Sequence, residues 1–223
     1  IIDEFILSRK EEILQFTKTP EVIEAVKQKN AIWLNERLTM LYSNGNNFYE
    51  NTFITSTGEN PIILYSDLPK GASIGYEMKK EPRSNLNMEN SLKGEFYIST
   101  AFPSPITNEA VILLTAPIID GNKVIGVAGF PITILKFTKQ FLNKVSIGKT
   151  GYSLLVDKNG TIINHPDPKL LLVNLNTFSF GEKILQTNNT ASVSYHYHGA
   201  NKILLKEIST TVNGIFSLTT IDL

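Results

Sequence analysis

The three histidines are the side chains of this sequence best suited to metal or proton chemistry. His196 and His198 are two residues apart on a predicted strand, so they share a face and could hold a metal if a third ligand lay nearby. Exposed histidines on an edge strand are the commoner explanation of such a pair. His165 follows a predicted hairpin in the segment Asn164-His165-Pro166-Asp167-Pro168, where a loop is expected. We therefore predict no metal site and no catalytic histidine.

Other catalytic motifs are absent or incomplete. The chain has no cysteine, which excludes disulfides, thiolate nucleophiles and cysteine-bound metals. The run Gly148-Lys149-Thr150 ends like a phosphate-binding loop, but the position of the first glycine holds Asn143 and a helix is predicted before it. No Gly-x-Ser-x-Gly elbow occurs, and the carboxylates are scattered. The sequence predicts neither an enzyme nor a cofactor; a metal enzyme built on His196 and His198 is a less favoured alternative.

The balance of charged and apolar residues is typical of a folded protein without a nucleic-acid partner. The 223 residues are 42% hydrophobic and 19% charged, and 21 Lys and Arg equal 21 Asp and Glu. Nucleic acids and anionic membrane surfaces are bound by clustered basic residues, which this chain lacks. No apolar run approaches the roughly 20 residues that cross a bilayer. Both ends lie inside apolar patterns, so we expect the chain to be part of a longer protein.

The elements that would position a site change in type along the chain. Residues 1–45 are predicted to be helical, because apolar residues recur at helical spacing and Thr19-Pro20-Glu21 provides a helix start. After Gly45, strand-like runs alternate with turns, as in Ala110–Ile119, Asp120-Gly121-Asn122 and Val124–Phe130. Helices are predicted over Arg83–Lys93 and Ile132–Val145.

The strand pattern then starts again about 100 residues later. The hairpin Tyr152–Ile163 can be aligned with Phe53–Ile63, since each has a strand, a turn that contains glycine and a second strand. A further hairpin around His198-Gly199-Ala200-Asn201 resembles the one around Asp120-Gly121-Asn122. This repetition predicts a duplicated module.

Laid out this way, the chain resembles the double Cache family of receptor sensor domains. The resemblance rests on the strand Asn122–Ile132, which contains Gly126-Val127-Ala128-Gly129-Phe130, and on the segment Ile147–Gly160, which resembles the family's entry into its second module. It implies an α+β fold with a long N-terminal helix followed by two tandem PAS-like modules, each a mainly antiparallel sheet flanked by helices. The expected division is a helical stalk and dimerisation region over 1–45, a membrane-distal module with the ligand pocket over 46–146, and a membrane-proximal module over 147–223.

The resemblance also implies a function. The parent protein would be a transmembrane receptor, either a chemotaxis receptor, a sensor kinase or a cyclic-dinucleotide enzyme, with this region on the extracytoplasmic side. A homodimer through the N-terminal helix, formed by Ile2, Phe5, Ile6 and Ile13, is expected. The alternatives are a soluble periplasmic or secreted binding domain, a receptor domain that senses through a partner protein, and an adhesive surface domain.

The pocket residues of the family's amino-acid-sensing branch are only partly present. Anchoring on Ser91-Leu92-Lys93-Gly94 places Asn85 at that branch's arginine and Asn87 at its tryptophan, with Arg83 as a shifted substitute. Its two acidic positions fall at Ser104 and Pro131. The candidate ligand-binding residues are those at these positions and their expected neighbours: Phe53, Tyr76, Arg83, Asn85, Asn87, Tyr97, Phe102, Ser104 and Thr115.

The changes at the acidic positions bear on the ligand. An α-amino acid needs an anionic partner for its ammonium group, and burying that charge unpaired costs several kcal/mol. Since Ser104 and Pro131 remove both expected anions, we expect a ligand other than an amino acid bound in the usual way. Arg83 offers a planar donor group for a carboxylate, so an organic acid or another small polar molecule is predicted.

Overall fold

The computed structural model describes residues 2–45, 48–67, 73–141, 151–157, 159–187, 191–197, 200–208 and 215–222. Its contacts divide the chain into two compact units. The first unit is Leu7–Thr133, and the second unit is Ile1–Ile6 together with Ile134–Leu223. The expected boundaries at 45/46 and 146/147 stay predictions, the second of them outside the described residues.

Three helices open the chain, as the apolar spacing predicts: α1 (Ile2–Lys18), α2 (Pro20–Lys27) and α3 (Ala31–Asn44). Pro20 occupies the first position of α2, where its missing N–H is no loss. The side chain of Asn30 caps α3 by accepting a hydrogen bond from the Trp33 N–H at 3.2 Å. The predicted helical region is therefore confirmed.

The first unit contains an antiparallel sheet with the strand order β2-β1-β6-β5-β3, and β4 also pairs with β5. Its strands are β1 (Phe53–Thr55), β2 (Ile63–Ser66), β3 (Tyr97–Ile98), β4 (Phe102–Pro103), β5 (Ala110–Asp120) and β6 (Lys123–Thr133). The turn between β5 and β6 has Gly121 at φ 58°, a conformation that glycine adopts without strain. That hairpin is the one predicted from Asp120-Gly121-Asn122.

Helix α4 (Pro82–Ser91) follows a 3₁₀ turn at Met78–Lys80 and packs on β5. The carboxylate of Glu81 caps α4 by accepting from the Ser84 N–H at 2.8 Å. Helix and sheet meet at an apolar cluster that includes Met88, Phe53 and Leu113. The prediction of a helix over Arg83–Lys93 is confirmed with both ends shifted by one or two residues.

The second unit contains an antiparallel sheet with the order β8-β7-β11-β10-β9. Its strands are β7 (Ser153–Asp157), β8 (Ile162–Asn164), β9 (Ala191–Tyr197), β10 (Ala200–Ile208) and β11 (Ile215–Asp222), and its helices are α5 (Ile134–Phe141) and α6 (Gly181–Leu185). The α+β fold with an N-terminal helix is thereby confirmed.

The two sheets share a strand order that supports the predicted duplication, with one change of alignment. The hairpins β1/β2 and β7/β8 take equivalent edge positions, as the alignment of Phe53–Ile63 with Tyr152–Ile163 predicts. The hairpin β5/β6, however, corresponds in sheet position to β10/β11. The predicted equivalence with the hairpin around His198–Asn201 is therefore wrong, since that turn joins β9 to β10.

Candidate functional site

A cavity opens in the first unit between the sheet, α4 and the segment that leads from α3 into β1. It contains about 340 Å³ of empty space, including the solvent at its mouth. We call it the Glu50 cavity. Its described lining consists of Glu50, Asn51, Phe53, Ile63, Tyr76, Met78, Ser84, Phe102, Ser104, Pro105, Ile106, Val111, Leu113 and Pro131.

Glu50 supplies the cavity with a buried carboxylate. Its residue surface is only 9% exposed. The backbone N–H of Glu50 donates to the carbonyl oxygen of Pro131 at 2.9 Å, and the Thr107 hydroxyl donates to its carboxylate. Among the residues that the structure describes, no cationic side chain forms an ion pair with it. A buried carboxylate held by one neutral donor retains capacity for a further, charged donor.

Asn51 adds an unpartnered acceptor to the same lining. It is 1% exposed, and its Oδ1 has no hydrogen-bond donor in the described part of the chain. The amide oxygens of Asn85 and Asn87 also lack donors, but neither residue lines the cavity. Buried acceptors without donors are uncommon in folded proteins, and those at cavities are satisfied by water or ligand. Asn51 Oδ1 is therefore an acceptor without a donor in the described chain, on a residue of the cavity lining.

The segment that carries these two residues is held firmly on both sides. The Thr52 hydroxyl donates to the carbonyl oxygen of Leu38 in α3 at 2.9 Å, and the Thr52 N–H donates to Asp67. Burial raises the pKa of Asp67 above its usual value, while the hydrogen bonds from Thr52 act to lower it. On the other side, the Tyr49 hydroxyl donates to the carboxylate of Glu12 in α1. Glu50 and Asn51 thus stand on backbone that contacts two helices and the sheet.

Aromatic side chains form much of the remaining wall. Phe53 and Phe102 are almost fully buried, and Tyr76 is half-buried. The ring of Phe53 lies directly against Gly129 of β6, where an added Cβ would come within 2.2 Å of ring carbons. Burial raises the pKa of the Tyr76 hydroxyl, and the nearby carboxylate of Glu81 raises it further. The wall is therefore apolar, with neutral polar groups at its edges.

The match to a known family follows this geometry. The family model of the Cache domain (dCache_1) matches residues 3–211. The chain belongs to this family.

Individual Cache proteins resemble the chain in sequence and in fold. The methyl-accepting chemotaxis protein PscA of Pseudomonas syringae pv. tomato is 31% identical over 90 residues, which are 40% of this chain and 13% of that longer protein. The ligand-binding domain of the amino-acid chemoreceptor PctB of Pseudomonas aeruginosa, solved with L-Gln, is 18% identical with a TM-score of 0.68, covering 99% of this chain and 85% of that one. The corresponding domain of CtaA of Pseudomonas fluorescens, solved with L-serine, is 14% identical with a TM-score of 0.64, covering 99% and 90%.

Four of the nine residues predicted for the Cache pocket line the Glu50 cavity: Phe53, Tyr76, Phe102 and Ser104. Ser104 has a local role as well, because its hydroxyl oxygen accepts from the backbone N–H of Ile106 at 3.1 Å and of Thr107 at 3.4 Å. This turn places the Thr107 hydroxyl where it reaches Glu50.

Three other predicted residues, Asn87, Tyr97 and Thr115, form a buried polar contact between α4 and β5 away from the described lining. The Asn87 amide donates to the Leu113 carbonyl at 3.0 Å and to the Thr115 hydroxyl at 3.1 Å. Thr115 is paired with Tyr97 across the sheet and also accepts from Ser91 at 2.8 Å. These bonds join the helix to the sheet.

Arg83 and Asn85 also lie outside the described lining. Arg83 is exposed, and its guanidinium is 3.3 Å from the Glu81 carboxylate. The Asn85 amide donates to Glu89 at 2.8 Å along the same helix. Arg83 can stand for the family's arginine only if the alignment is shifted by two residues. In the structure its side chain lies on the exposed outside of α4.

Glu50, which is not among the residues predicted from the sequence, brings a carboxylate into the cavity lining. Ser104 and Pro131 do line the cavity, as their alignment with the family's acidic positions implies. Glu50 reaches the cavity from a different element and bonds to the backbone of Pro131 itself. The sequence Tyr49-Glu50-Asn51-Thr52 has neither helical nor strand periodicity. Its only sign of a site is an acidic residue next to an amide, between a helix and a strand.

The second unit contains a cavity of similar size, about 370 Å³ with the solvent at its mouth, which we call the His165 cavity. Its described lining is Tyr152, Leu154, Ile162, His165, Leu170, Leu175, Phe178, Phe180, Leu204 and Leu218. The only polar side-chain groups in this set are the imidazole of His165 and the hydroxyl of Tyr152, which are 3.0 Å apart.

The described residues contain neither a cluster of metal-ligating side chains nor a membrane-spanning helix. Within them, no three His, Asp or Glu side chains are grouped as metal ligands would be. The side chain of His196 and the whole of His198 lie outside the described residues, so their predicted exposure stays a prediction. No helix among the described ranges is long and apolar enough to span a bilayer.

Proposed function

We propose that this chain is the ligand-sensing region of a transmembrane signalling receptor and that a small molecule binds in the Glu50 cavity. One observation carries the proposal: Glu50, with its buried carboxylate, and Asn51, whose amide oxygen lacks a donor in the described chain, both belong to the lining of one aromatic-walled cavity of a Cache fold. Cavities of this kind, mainly apolar with a few placed polar groups, are the usual form of small-molecule sites. We propose binding without catalysis, because the lining contains no nucleophile paired with a base.

The parent protein is proposed to be a chemotaxis receptor or a sensor histidine kinase. The curated relatives PscA and PctB are methyl-accepting chemotaxis proteins, and the chain spans 13% and 16% of their lengths. In this arrangement the first unit would be the membrane-distal module and the second the membrane-proximal one, both on the extracytoplasmic side. Flanking transmembrane helices of the parent protein would carry the signal inward.

The contacts of the segment 49–52 suggest how binding would be transmitted. Glu50 and Asn51 would contact the ligand, while their neighbours Tyr49 and Thr52 bond to α1 and α3. A ligand that binds two arrangements of this segment with different affinity shifts their populations by that difference. We propose that the shift moves α1, the helix nearest the start of the chain.

The predicted dimer surface needs correction. Phe5, Ile6 and Ile13 are buried within the single chain, and the ring centroids of Phe5 and Phe137 are 4.8 Å apart. A stripe covered by its own chain is not available to a second copy. If the parent receptor dimerises through α1, another face of the helix, where Leu7 is 40% exposed, has to form the contact.

A thermal-shift screen of this chain tests the proposal. The compounds are amino acids, organic acids, amines, sugars and purines, because binding to the native state raises the melting temperature by mass action. We expect at least one compound to stabilise the chain, and we expect Phe102→Ala, which opens the cavity wall, to weaken that effect. Ile119→Ala, an exposed residue of the same sheet, is the matched control.

A saturable ligand whose effect is unchanged by Phe102→Ala but lost on altering the His165 cavity would overturn the assignment to the first unit. A screen without any stabilising compound would favour a receptor that senses through a partner protein. If the parent gene lacked apolar segments long enough to cross a bilayer on both sides of this region, a soluble binding domain would replace the receptor.

A further inference from the structure

The charges around the Glu50 cavity are unbalanced. Its described lining contains one acidic side chain, that of Glu50, and no Lys, Arg or His. Arg83, the one cationic side chain among the predicted ligand-binding residues, is exposed and paired with Glu81. An anion that is nine-tenths buried without a counter-ion is unfavourable unless a positive charge reaches it.

The hydrogen-bonding capacity of the lining is unbalanced in the same direction. Glu50 receives one bond from a neutral hydroxyl, and Asn51 Oδ1 receives none within the described residues. Ser104 is already an acceptor for two backbone N–H groups. The groups that remain for a bound molecule are therefore mainly acceptors, which fits a ligand that donates.

The aromatic wall fits the same kind of ligand. Phe53, Tyr76 and Phe102 line the cavity that contains Glu50. The faces of aromatic rings attract cations, and a ring wall beside a carboxylate is a common arrangement for binding ammonium groups. A carboxylate on the ligand would lie beside the charge of Glu50, and no side chain of the described lining offers it a cationic partner.

Resting on the proposed sensor function, we infer that the ligand is a small organic cation, a protonated or quaternary amine, whose positive charge lies against Glu50 and Asn51. This replaces the organic acid that Arg83 would have bound. It also differs from a zwitterionic amino acid, because the described lining offers nothing cationic for the second charge.

Four probes of one carbon skeleton test the charge directly by calorimetric titration: butylamine, butyramide, butyrate and L-2-aminobutyrate. We expect butylamine to bind with at least a tenfold lower Kd than the other three. Glu50→Gln, which keeps the shape and removes the charge, is expected to weaken butylamine binding by at least tenfold. Glu109→Gln removes an exposed carboxylate near Thr107 and should leave the Kd unchanged.

A second pair of variants does not depend on how Glu50→Gln folds. Ile106 is half-buried in the cavity lining, so Ile106→Lys would place a cation near Glu50 from a position open to solvent. We expect Ile106→Lys to abolish butylamine binding and Ile106→Gln, the neutral match, to retain most of it. Far-UV circular dichroism and melting temperature establish folding for every variant.

The outcomes separate this inference from the sensor function. If butyrate or butyramide binds best and Phe102→Ala weakens it, the sensor site stands and the cation inference is overturned. Preference for L-2-aminobutyrate over butylamine would overturn it in favour of a zwitterion. If none of the four probes binds while another compound of the broad screen does, the cation inference is wrong and the sensor function stands. The exception is a compound that is itself an amine and requires Glu50 for binding.

Discussion

The two cavities of this chain occupy sheets of the same strand order but differ in how the polar groups of their lining residues are hydrogen-bonded. Both contain a few hundred Å³, and both are walled by apolar side chains. The Glu50 cavity has a buried carboxylate and an acceptor without a donor. The polar groups of the His165 cavity are paired with each other. The difference indicates that each sheet provides the space, while residues from the connecting segments supply the polar groups.

The hydrogen bonds of His165 show how that pairing is achieved. The backbone N–H of Asp167 donates to its Nδ1 at 2.9 Å, so the ring proton of the neutral form is on Nε2, which donates to the Tyr152 hydroxyl. The two rings meet edge to face with centroids 5.0 Å apart. The imidazole is thus satisfied by its own chain, unlike Asn51.

The largest effect that we expect concerns the glycine behind the His165 cavity. A Cβ at Gly181 would lie 1.8 Å from the carbonyl oxygen of Leu175, which is backbone and cannot turn aside. We expect Gly181→Ala to destabilise the second unit by about 3 kcal/mol or more, because the overlap forces backbone movement in a packed region. Urea unfolding followed by far-UV circular dichroism measures this. A change below about 1 kcal/mol would show that the backbone at Leu175 moves freely.

The glycine behind the Glu50 cavity should give a smaller effect on stability and a larger one on binding. A Cβ at Gly129 meets the ring of Phe53, a side chain that can shift into the adjoining cavity. We expect Gly129→Ala to destabilise the first unit by about 1–3 kcal/mol. Trp33, the single tryptophan, reports on the first unit by its fluorescence.

The shifted ring should also occupy ligand space. Butylamine binding is therefore expected to weaken in Gly129→Ala but not in Gly181→Ala. Equal loss of binding in both variants would mean that the cavities are not independent.

The elements around both cavities could be predicted from local signals. Pro20, the turn at Gly121 and the capping position before α4 act within a few residues, so their effects are visible in the sequence. Phe53 and Phe102 stand at strand positions and Ser104 directly follows β4, so the register implied by the family resemblance predicts where they lie along the chain.

Glu50 could not be found in the same way, because its burial depends on distant parts of the chain. Its donor Thr107 is 57 residues away, and its backbone partner Pro131 belongs to another strand. For the same reason the sequence predicts a dimer contact for Phe5, Ile6 and Ile13, although these residues are buried within the single chain. The apolar spacing predicts that a face is buried, but not which surface covers it.

Asn51 and Asn87 allow a comparison between a polar side chain proposed to bind a ligand and one whose hydrogen bonds stabilise the fold. The Oδ1 atoms of Asn51 and Asn87 both lack a donor in the described chain, but the Asn87 amide nitrogen also donates to Leu113 and Thr115. We expect Asn51→Ala to change stability by less than about 1 kcal/mol and to weaken butylamine binding about tenfold, the value of one hydrogen bond.

The matched change Asn87→Ala should destabilise the first unit by about 1–3 kcal/mol, since it removes two buried hydrogen bonds, one to the Leu113 carbonyl and one to the Thr115 hydroxyl. Unfolding and titration of the two variants side by side provide the comparison. The distinction fails if Asn51→Ala is the more destabilising of the two.

The smallest expected effect is a pH dependence confined to the His165 cavity. Burial lowers the pKa of His165 below 6.5, and this outweighs the opposing influence of Asp167. The unfolded chain therefore takes up a proton near pH 6.5 that the folded chain does not, so this residue's contribution to stability is present above pH 6.5 and is lost as the pH falls through the folded pKa. Unfolding free energies between pH 8 and pH 5 should decline less in His165→Gln than in the natural chain. If the two stability curves were parallel, the imidazole would titrate alike in the folded and unfolded states. The conclusion that His165 is paired within its own cavity would then be wrong.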